Sequence, residues 1–311
     1  MDANSPPISI PPSYETLPVT HIKLSHHPPN SPTATPILIV TLNRPEKHNA
    51  YTQAMGESLE RVFRTVDIDD RVKVVVLTGA GRTFCAGADL DIGFSGAKQI
   101  DPEGYRDSGG RIALAIHRCR KPTIAAMQGS AVGVGMTMAL PAAIRIAHTT
   151  SKYGFVFARR GITMESCSSY FLPRLIGHAR AMYLVTTGGV FPPTSSHFGP
   201  LFAETFAEKS AVLVRGLEIA GDIAENTSSL AGALNRGLMW RGPDSPEETH
   251  LLESRVLYHM FRGRDQKEGV GAFLEKRKPE FKATLEEDAP REYPWWSEVD
   301  IDPKTKGESK L

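Results

Sequence analysis

The chain has 311 residues, of which 41% are hydrophobic and 23% are charged, a composition typical of one large globular domain with extensions. Its formal net charge of +1, from 36 basic and 35 acidic residues, argues against a nucleic-acid-binding protein, which would usually carry a basic excess. We expect no membrane span, because no apolar run approaches about 18 residues. We also expect no disulfide framework or metal site, because the three cysteines lie far apart.

The first 36 residues form a proline-rich segment. Since prolines break helices and central strands, we predict an irregular N-terminal arm over residues 1–36, with one strand near Val19–Leu24. The pair His26 and His27 lies in this arm without further candidate metal ligands around it, so we expect two solvated loop histidines.

From residue 37 onward, apolar runs typical of buried strands alternate with segments of helical spacing. This alternation predicts an α/β fold with mainly parallel strands, and we assign residues 37–215 to its core. The predicted strands are Ile37–Leu42, Val72–Leu77, Thr123–Met127 and Ile144–Ala147.

The last third of the chain is predicted to be mostly helical. A capped helix start at Ser245–Glu248 supports a helical region over residues 216–289, since proline follows the serine and glutamate comes three residues after it. Residues 290–311 are predicted to form an irregular tail. It ends in Ser309, Lys310 and Leu311, a tripeptide typical of a peroxisomal address, so we expect a peroxisomal protein with an import receptor as partner, although a tripeptide can also occur by chance.

Two segments of small residues, Thr83–Leu90 and Gln128–Thr137, each follow a predicted strand. Backbone amides left free at such turns can stabilise an oxygen anion. The second segment lacks the Gly-Lys-Ser/Thr end of a phosphate loop. It also lacks the glycine spacing of a dinucleotide fingerprint. Taken singly, each segment is explained as well by close packing.

Together these segments resemble the signature of the crotonase (enoyl-CoA hydratase/isomerase) superfamily. The resemblance runs from Ile37 to Phe281, and it rests on four motifs in the right order: Leu42–Ala50, Phe84–Leu90, Gly133–Gly135 and Phe273–Phe281. It implies a crotonase-type ββα spiral core with a helical C-terminal trimerisation region. It also implies a homo-oligomer, either a trimer or a hexamer, that acts on an acyl-CoA substrate.

By resemblance, the amides of Ala86 and Val134 form an oxyanion hole for the thioester oxygen. No separate cofactor and no metal are implied, since CoA enters as part of the substrate. The CoA- and substrate-binding residues implied are Lys47, Ala86, Gly87, Ala88, Asp89, Phe273 and Lys276. For Lys276 and its basic neighbours, an ordinary charged helix face is an equally good interpretation.

The candidate base is Glu165. Aligned without gaps, the two catalytic glutamates of family hydratases fall on Thr137 and Phe157, neither of which is acidic. The segment Met164–Tyr170 instead resembles the Pro-Glu-x-x-Ser-Ser motif of peroxisomal Δ3,Δ2-enoyl-CoA isomerases, with Met164 in place of proline. The alternative for Glu165 is a carboxylate that merely stabilises a helix N-terminus.

The resemblance therefore predicts an enoyl-CoA isomerase that shifts the double bond of a 3-enoyl-CoA to give a trans-2-enoyl-CoA. The alternatives are a 2-enoyl-CoA hydratase and a non-catalytic acyl-CoA-binding subunit. Peroxisomal fatty-acid metabolism and the tailoring of an acyl chain for a secondary metabolite both fit this prediction.

Overall fold

The computed structural model describes residues 8–92 and 104–301, and it contains two β-sheets. The larger sheet consists, from edge to edge, of β1 (Ile22–His27), β2 (Ile37–Leu42), β3 (Val74–Gly79), β5 (Thr123–Met127), β7 (Ile144–His148) and β10 (Glu204–Phe206). Strands β1 and β2 are antiparallel, whereas every other neighbouring pair is parallel. The central strands are buried apolar runs, as expected for parallel strands covered on both faces.

The smaller sheet lies in the order β4 (Thr83–Cys85), β6 (Ser130–Val132), β8 (Tyr153–Gly154) and β9 (Val190–Phe191). Here β4, β6 and β8 are parallel, and β9 runs antiparallel to β8. Each of β4, β6 and β8 follows shortly after a strand of the larger sheet, so the chain passes three times from the large sheet to the small one. Because β4 and β6 are parallel neighbours, the turns that follow them lie at the same edge.

Helices cover both faces of the larger sheet. The α-helices of the described residues are α1 (Gln53–Asp67), α2 (Ser108–Arg118), α3 (Val134–Thr137), α4 (Ser168–Ile176), α5 (His178–Thr187), α6 (Lys209–Asn226), α7 (Ser229–Arg241), α8 (Pro246–Met260), α9 (Arg264–Glu275) and α10 (Leu285–Asp288). Helices α1 and α2 bury their apolar faces in the main core. Helix α6 packs its buried residues Val212 and Ala220 against Val76, Ile124 and Ile146 on the other face.

The N-terminal arm is more ordered than the sequence predicted. Strand β1 begins and ends three residues later than expected and extends the larger sheet, so the described part of the arm belongs to the core. The prediction of a solvated His26 was wrong. Its side chain is 1% exposed, and its Nε2 atom accepts a hydrogen bond from the Tyr14 amide at 3.2 Å and lies 3.0 Å from the Ser13 hydroxyl.

The predicted domain boundary between residues 215 and 216 falls inside α6, so the structure places no break there. Beyond it most of the chain as far as Asp288 is helical, as expected. The start of the predicted irregular tail packs on α7, because Trp295 Nε1 donates to the Arg241 carbonyl at 3.1 Å and the Arg241 guanidinium lies 4.6 Å from the Trp296 ring centre. The tripeptide Ser309–Leu311 lies outside the described residues.

Within residues 8–92 and 104–301, no helix is long and apolar enough to cross a membrane. The same part of the chain contains no group of three or more His, Cys, Asp or Glu side chains placed to hold a metal ion.

His117 is a buried histidine that makes the fold sensitive to acid. Its ring packs edge-on against Phe171 and Trp240, and its Nδ1 atom has no hydrogen-bond partner among the described residues. Burial is the largest effect on the pKa of His117, and together with the charges of three nearby arginines it lowers that pKa from 6.5 to about 3. The folded protein therefore holds this imidazole neutral at pH values where the unfolded chain protonates it.

We predict that the free energy of unfolding falls as the pH drops below about 6.5, by up to about 1.4 kcal/mol per pH unit from His117 alone. The contribution is complete above pH 6.5 and is lost towards pH 3, because the folded-state pKa is the lower one. His117→Phe keeps the aromatic packing and should flatten this slope in urea titrations at several pH values between about 5 and 7. An identical slope in the variant would contradict the prediction.

Candidate active site

Two glycine turns come into contact at the edge of the smaller sheet. Gly87 follows β4 with φ +91°, and Gly133 follows β6 with φ +54°, a backbone region that favours glycine. A Cβ atom added to Gly133 would lie 3.9 Å from the Gly87 Cα atom, and one added to Gly87 would lie 3.2 Å from the Val132 carbonyl oxygen. The two turns therefore pack backbone against backbone.

This contact brings together two unpaired amides, those of Ala88 and Val134. The turn at Ala88 is held on both sides, because the Tyr51 amide donates to the Gly87 carbonyl at 2.8 Å and the Asp89 amide donates to the Tyr51 carbonyl at 2.9 Å. Neither the Ala88 nor the Val134 amide donates to any described residue. Val134 is the first residue of α3, where an unpaired amide is normal and the helix dipole favours negative charge.

The sequence-based assignment of Ala86 to the oxyanion hole needs correction. The Ala86 amide donates to the His48 carbonyl at 3.1 Å, so it is already used within the fold. The Ala88 amide, two residues further on, donates to no described residue. We therefore pair Ala88, in place of Ala86, with Val134 as the candidate oxyanion-binding amides.

Asp89 holds the turn through Arg44, and a role for it in binding substrate stays a prediction. Its carboxylate accepts a hydrogen bond from Arg44 at 2.9 Å, and its side chain is 6% exposed. The bond from Arg44 is the main effect that lowers the pKa of Asp89. Buried Asn49 completes this support by donating to the carbonyls of Ala80 and Thr83 at 2.8 and 2.7 Å.

Glu165 lies beside this edge of the sheet, in the turn before α4. The Thr137 hydroxyl, at the last residue of α3, donates to Glu165 Oε1 at 2.6 Å. The Ser166 hydroxyl donates to the other oxygen, Oε2. Since Thr137 and Val134 belong to the same helical turn, the carboxylate and the Val134 amide are positioned by one element.

The Glu165 carboxylate is more basic than an ordinary glutamate. Burial raises its pKa, the hydrogen bonds from Ser166 and Thr137 oppose this rise, and the negative charge of Asp107 adds to it. A partly buried carboxylate with a raised pKa suits a group that takes and returns protons near neutral pH.

The two positions aligned with the glutamates of family hydratases carry no second carboxylate. Thr137 is fully buried and bonded to Glu165. The Phe157 ring lies 3.9 Å from the position of an added Gly133 Cβ atom, and it is 6% exposed. Phe157 therefore presents an apolar surface where the usual pair would place a charge.

Tyr51 is a site residue that the sequence reasoning missed. It is 8% exposed, and its hydroxyl has no hydrogen-bond partner of acceptable geometry among the described residues, although Ser108 is near. Burial raises the pKa of Tyr51 to about 12, and the charge of Glu165 contributes to the rise. A lone tyrosine after the early turn carries no sequence signal of its own, because only the fold brings it near Glu165.

The remaining predicted binding residues lie on the surface. The Lys47 ammonium donates to Asp91 at 2.9 Å, a bond that raises its pKa, and about half of the Lys47 side chain is exposed. Phe273, on α9, is 81% exposed, and exposed Lys276 caps the same helix. A role for these three residues in CoA binding stays a prediction.

Comparison with known proteins supports this description of the fold. The family model for enoyl-CoA hydratase/isomerase matches residues 33–284. An enoyl-CoA hydratase of Alternaria alternata is 49% identical over 258 residues, which are 83% of this chain and 87% of that protein. A 1,2-epoxyphenylacetyl-CoA isomerase of Escherichia coli (strain K12) is 32% identical over 263 residues, 79% of this chain and 94% of that protein.

Among solved structures, the enoyl-CoA hydratase of Mycobacterium tuberculosis H37Rv matches with a TM-score of 0.73 and 29% identity, over 85% of this chain and 99% of that one. The predicted crotonase-type α/β fold is confirmed, and so is the prediction of an enzyme of the enoyl-CoA isomerase or hydratase type. The chain belongs to the enoyl-CoA hydratase/isomerase family of the crotonase superfamily.

Proposed function

We propose that this protein isomerises a 3-enoyl-CoA to a trans-2-enoyl-CoA, with Glu165 as the single proton carrier. One observation supports this reaction above the others. The turn of α3 that bears the unpaired Val134 amide also positions Glu165, whereas Thr137 and Phe157 occupy the places of the usual pair of glutamates.

In this reaction the Glu165 carboxylate removes a proton from C2 of the substrate. The electrons of that C–H bond form a dienolate, whose oxygen accepts hydrogen bonds from the Ala88 and Val134 amides. Glu165 then returns the same proton at C4, and the double bond is left between C2 and C3. The raised pKa of Glu165 helps the first step, because a more basic carboxylate removes the proton more readily.

The proposal also covers CoA binding, the oligomeric state and the cellular location. We place the CoA phosphates near Lys47 and Lys276, with Phe273 against the adenine, as the family resemblance implies. Homo-oligomerisation through the C-terminal helices, import through the final tripeptide and action in the peroxisome are proposed on the same basis. The unpartnered surface of these helices is consistent with subunit contacts, since Met239, Leu251 and Phe261 are each 60% or more exposed.

Hydration of a 2-enoyl-CoA is a second candidate, favoured by the Tyr51 hydroxyl and by the name of the Alternaria alternata relative. In that reaction Tyr51 and Glu165 would hold a water molecule between them, in place of the usual two glutamates. Glu165 would take a proton from the water as its oxygen bonds to C3, and would then deliver that proton to C2.

The test is a spectrophotometric assay on both substrates. Isomerisation of a 3-enoyl-CoA creates the absorbance of the conjugated thioester, and hydration of a 2-enoyl-CoA removes it. We expect a gain of absorbance on the first substrate, and Glu165→Gln should lower its rate by about 10²–10⁴-fold. Glu253→Gln, at an exposed glutamate on α8, is the matched control and should keep the wild-type rate.

Three results would overturn this assignment. Loss of absorbance on the 2-enoyl-CoA alone would make the protein a hydratase. Undiminished turnover in Glu165→Gln would remove Glu165 from the mechanism. If neither substrate changes in absorbance at any of several acyl-chain lengths, a non-catalytic acyl-CoA-binding subunit would be favoured.

Val134→Pro tests the oxyanion hole, because it removes the amide hydrogen at a helix position where proline is tolerated. We expect the rate to fall by about 10²–10³-fold, while the melting temperature changes little. Val134→Ala keeps the amide and should keep most of the activity. Equal activity in the two variants would show that the Val134 amide does not bind the oxyanion.

Tyr51→Phe separates the two candidate reactions. If the hydroxyl holds water for hydration, the variant loses that activity by about tenfold or more, whereas isomerisation, which needs no water, changes only a few-fold. Both rates are measured on one preparation, so a folding defect would lower them together. Equal losses in a well-folded variant would rule out a water-holding role.

A further inference from the structure

The backbone after Glu165 adopts an uncommon conformation. Ser166 and Cys167 both have φ +54°, in the left-handed region that residues other than glycine seldom occupy. Two such residues in succession cost free energy and persist only where other contacts hold them. The Ser166 amide donates to Asp107 Oδ2 at 3.1 Å, a contact that spans 59 positions of the chain.

The same Asp107 oxygen caps α2. It accepts a hydrogen bond from the Gly110 amide at 2.5 Å, so one carboxylate joins the helix start to the turn that carries the base. Gly109 shows how close the two segments lie. A Cβ atom added there would be 2.1 Å from Glu165 Oε2 and 2.2 Å from the Ser166 hydroxyl oxygen.

Asp107 also adds a charge next to the base. The described titratable groups that interact electrostatically with Glu165 include Asp107, Tyr51, Cys85 and Cys167. Burial raises the pKa of the last three, so each is neutral near pH 7. Arg111, on the next turn of α2, pairs with Glu60 at 2.6 Å. Asp107 is thus a negatively charged neighbour of Glu165.

We propose that Asp107 is a positioning residue for the base: it fixes the left-handed turn after Glu165 against α2, and it places a second negative charge beside the Glu165 carboxylate. The proposal rests on the role of Glu165 proposed above, and it adds a residue that touches neither the substrate nor the oxyanion. A charge at this position keeps Glu165 ready to accept a proton, since like charges disfavour ionisation of one another.

Asp107→Asn tests the charge, because asparagine keeps an acceptor oxygen for the Ser166 and Gly110 amides. The acid limb of kcat/KM should move to lower pH, since removing a like charge lowers the pKa of Glu165. Asp107→Ala also removes the acceptor, and we expect its kcat to fall by about 10²-fold with little change in KM. Asp107→Asn, which keeps the acceptor, should retain most of the kcat that Asp107→Ala loses.

Thr137→Val is a control of opposite sign. It removes a hydrogen bond that lowers the pKa of Glu165, so its acid limb should move to higher pH. Asp222→Asn changes a carboxylate on α6 and should leave the acid limb of kcat/KM at the wild-type pH. If the limb in Asp107→Asn stays at the wild-type pH, Asp107 has at most a structural role and the proposal is overturned.

A second measurement keeps this test independent of turnover. Infrared titration of protein labelled with ¹³C in its glutamate carboxyl groups, taken as a difference against Glu165→Gln, reports the ionisation of Glu165 directly. We expect a lower midpoint in Asp107→Asn than in the wild type. An unchanged midpoint contradicts the proposal whatever reaction the enzyme performs, and a shifted midpoint without isomerase activity would fault the proposed function alone.

Discussion

Backbone contact between the turns at Gly87 and Gly133 is the constraint on which the site depends. A Cβ atom on Gly87 would crowd the Val132 carbonyl oxygen at 3.2 Å, and both glycines adopt conformations that other residues rarely take. The contact brings the unpaired amides of Ala88 and Val134 to one edge of the smaller sheet. It also fixes the start of α3, from which Thr137 reaches Glu165.

The basicity of Glu165 reflects a balance between opposing effects. Burial raises its pKa and the nearby charge of Asp107 adds to the rise, whereas hydrogen bonds from Thr137 and Ser166 favour the charged form. The same hydroxyl groups fix the direction of the carboxylate. With fewer hydrogen-bond donors the carboxylate would be a stronger base, but its orientation would be less well fixed. The same hydrogen bonds therefore set both its orientation and its basicity.

Much of this arrangement could be predicted from the sequence, because it depends on local motifs. The buried strands, the turn before α3 and Glu165 with its following serines all carry short-range signals. The error at Ala86 has a tertiary cause. Which amide of the turn stays unpaired depends on the carbonyl of His48, 38 positions earlier, and no local pattern encodes that contact. Asp107 was missed for the same reason, although an aspartate before Ser108, Gly109 and Gly110 is a recognisable helix cap.

The central claim, that one carboxylate moves one proton, is tested most directly with a 3-enoyl-CoA carrying deuterium at C2, converted in ordinary water. If Glu165 removes the label and returns it from the same buried carboxyl group, part of the deuterium appears at C4 of the product. Mass spectrometry of the product acyl chain measures that fraction. Product with no deuterium above natural abundance at C4, formed throughout a single turnover, would contradict the account, because the proton would then come from water or from a second group.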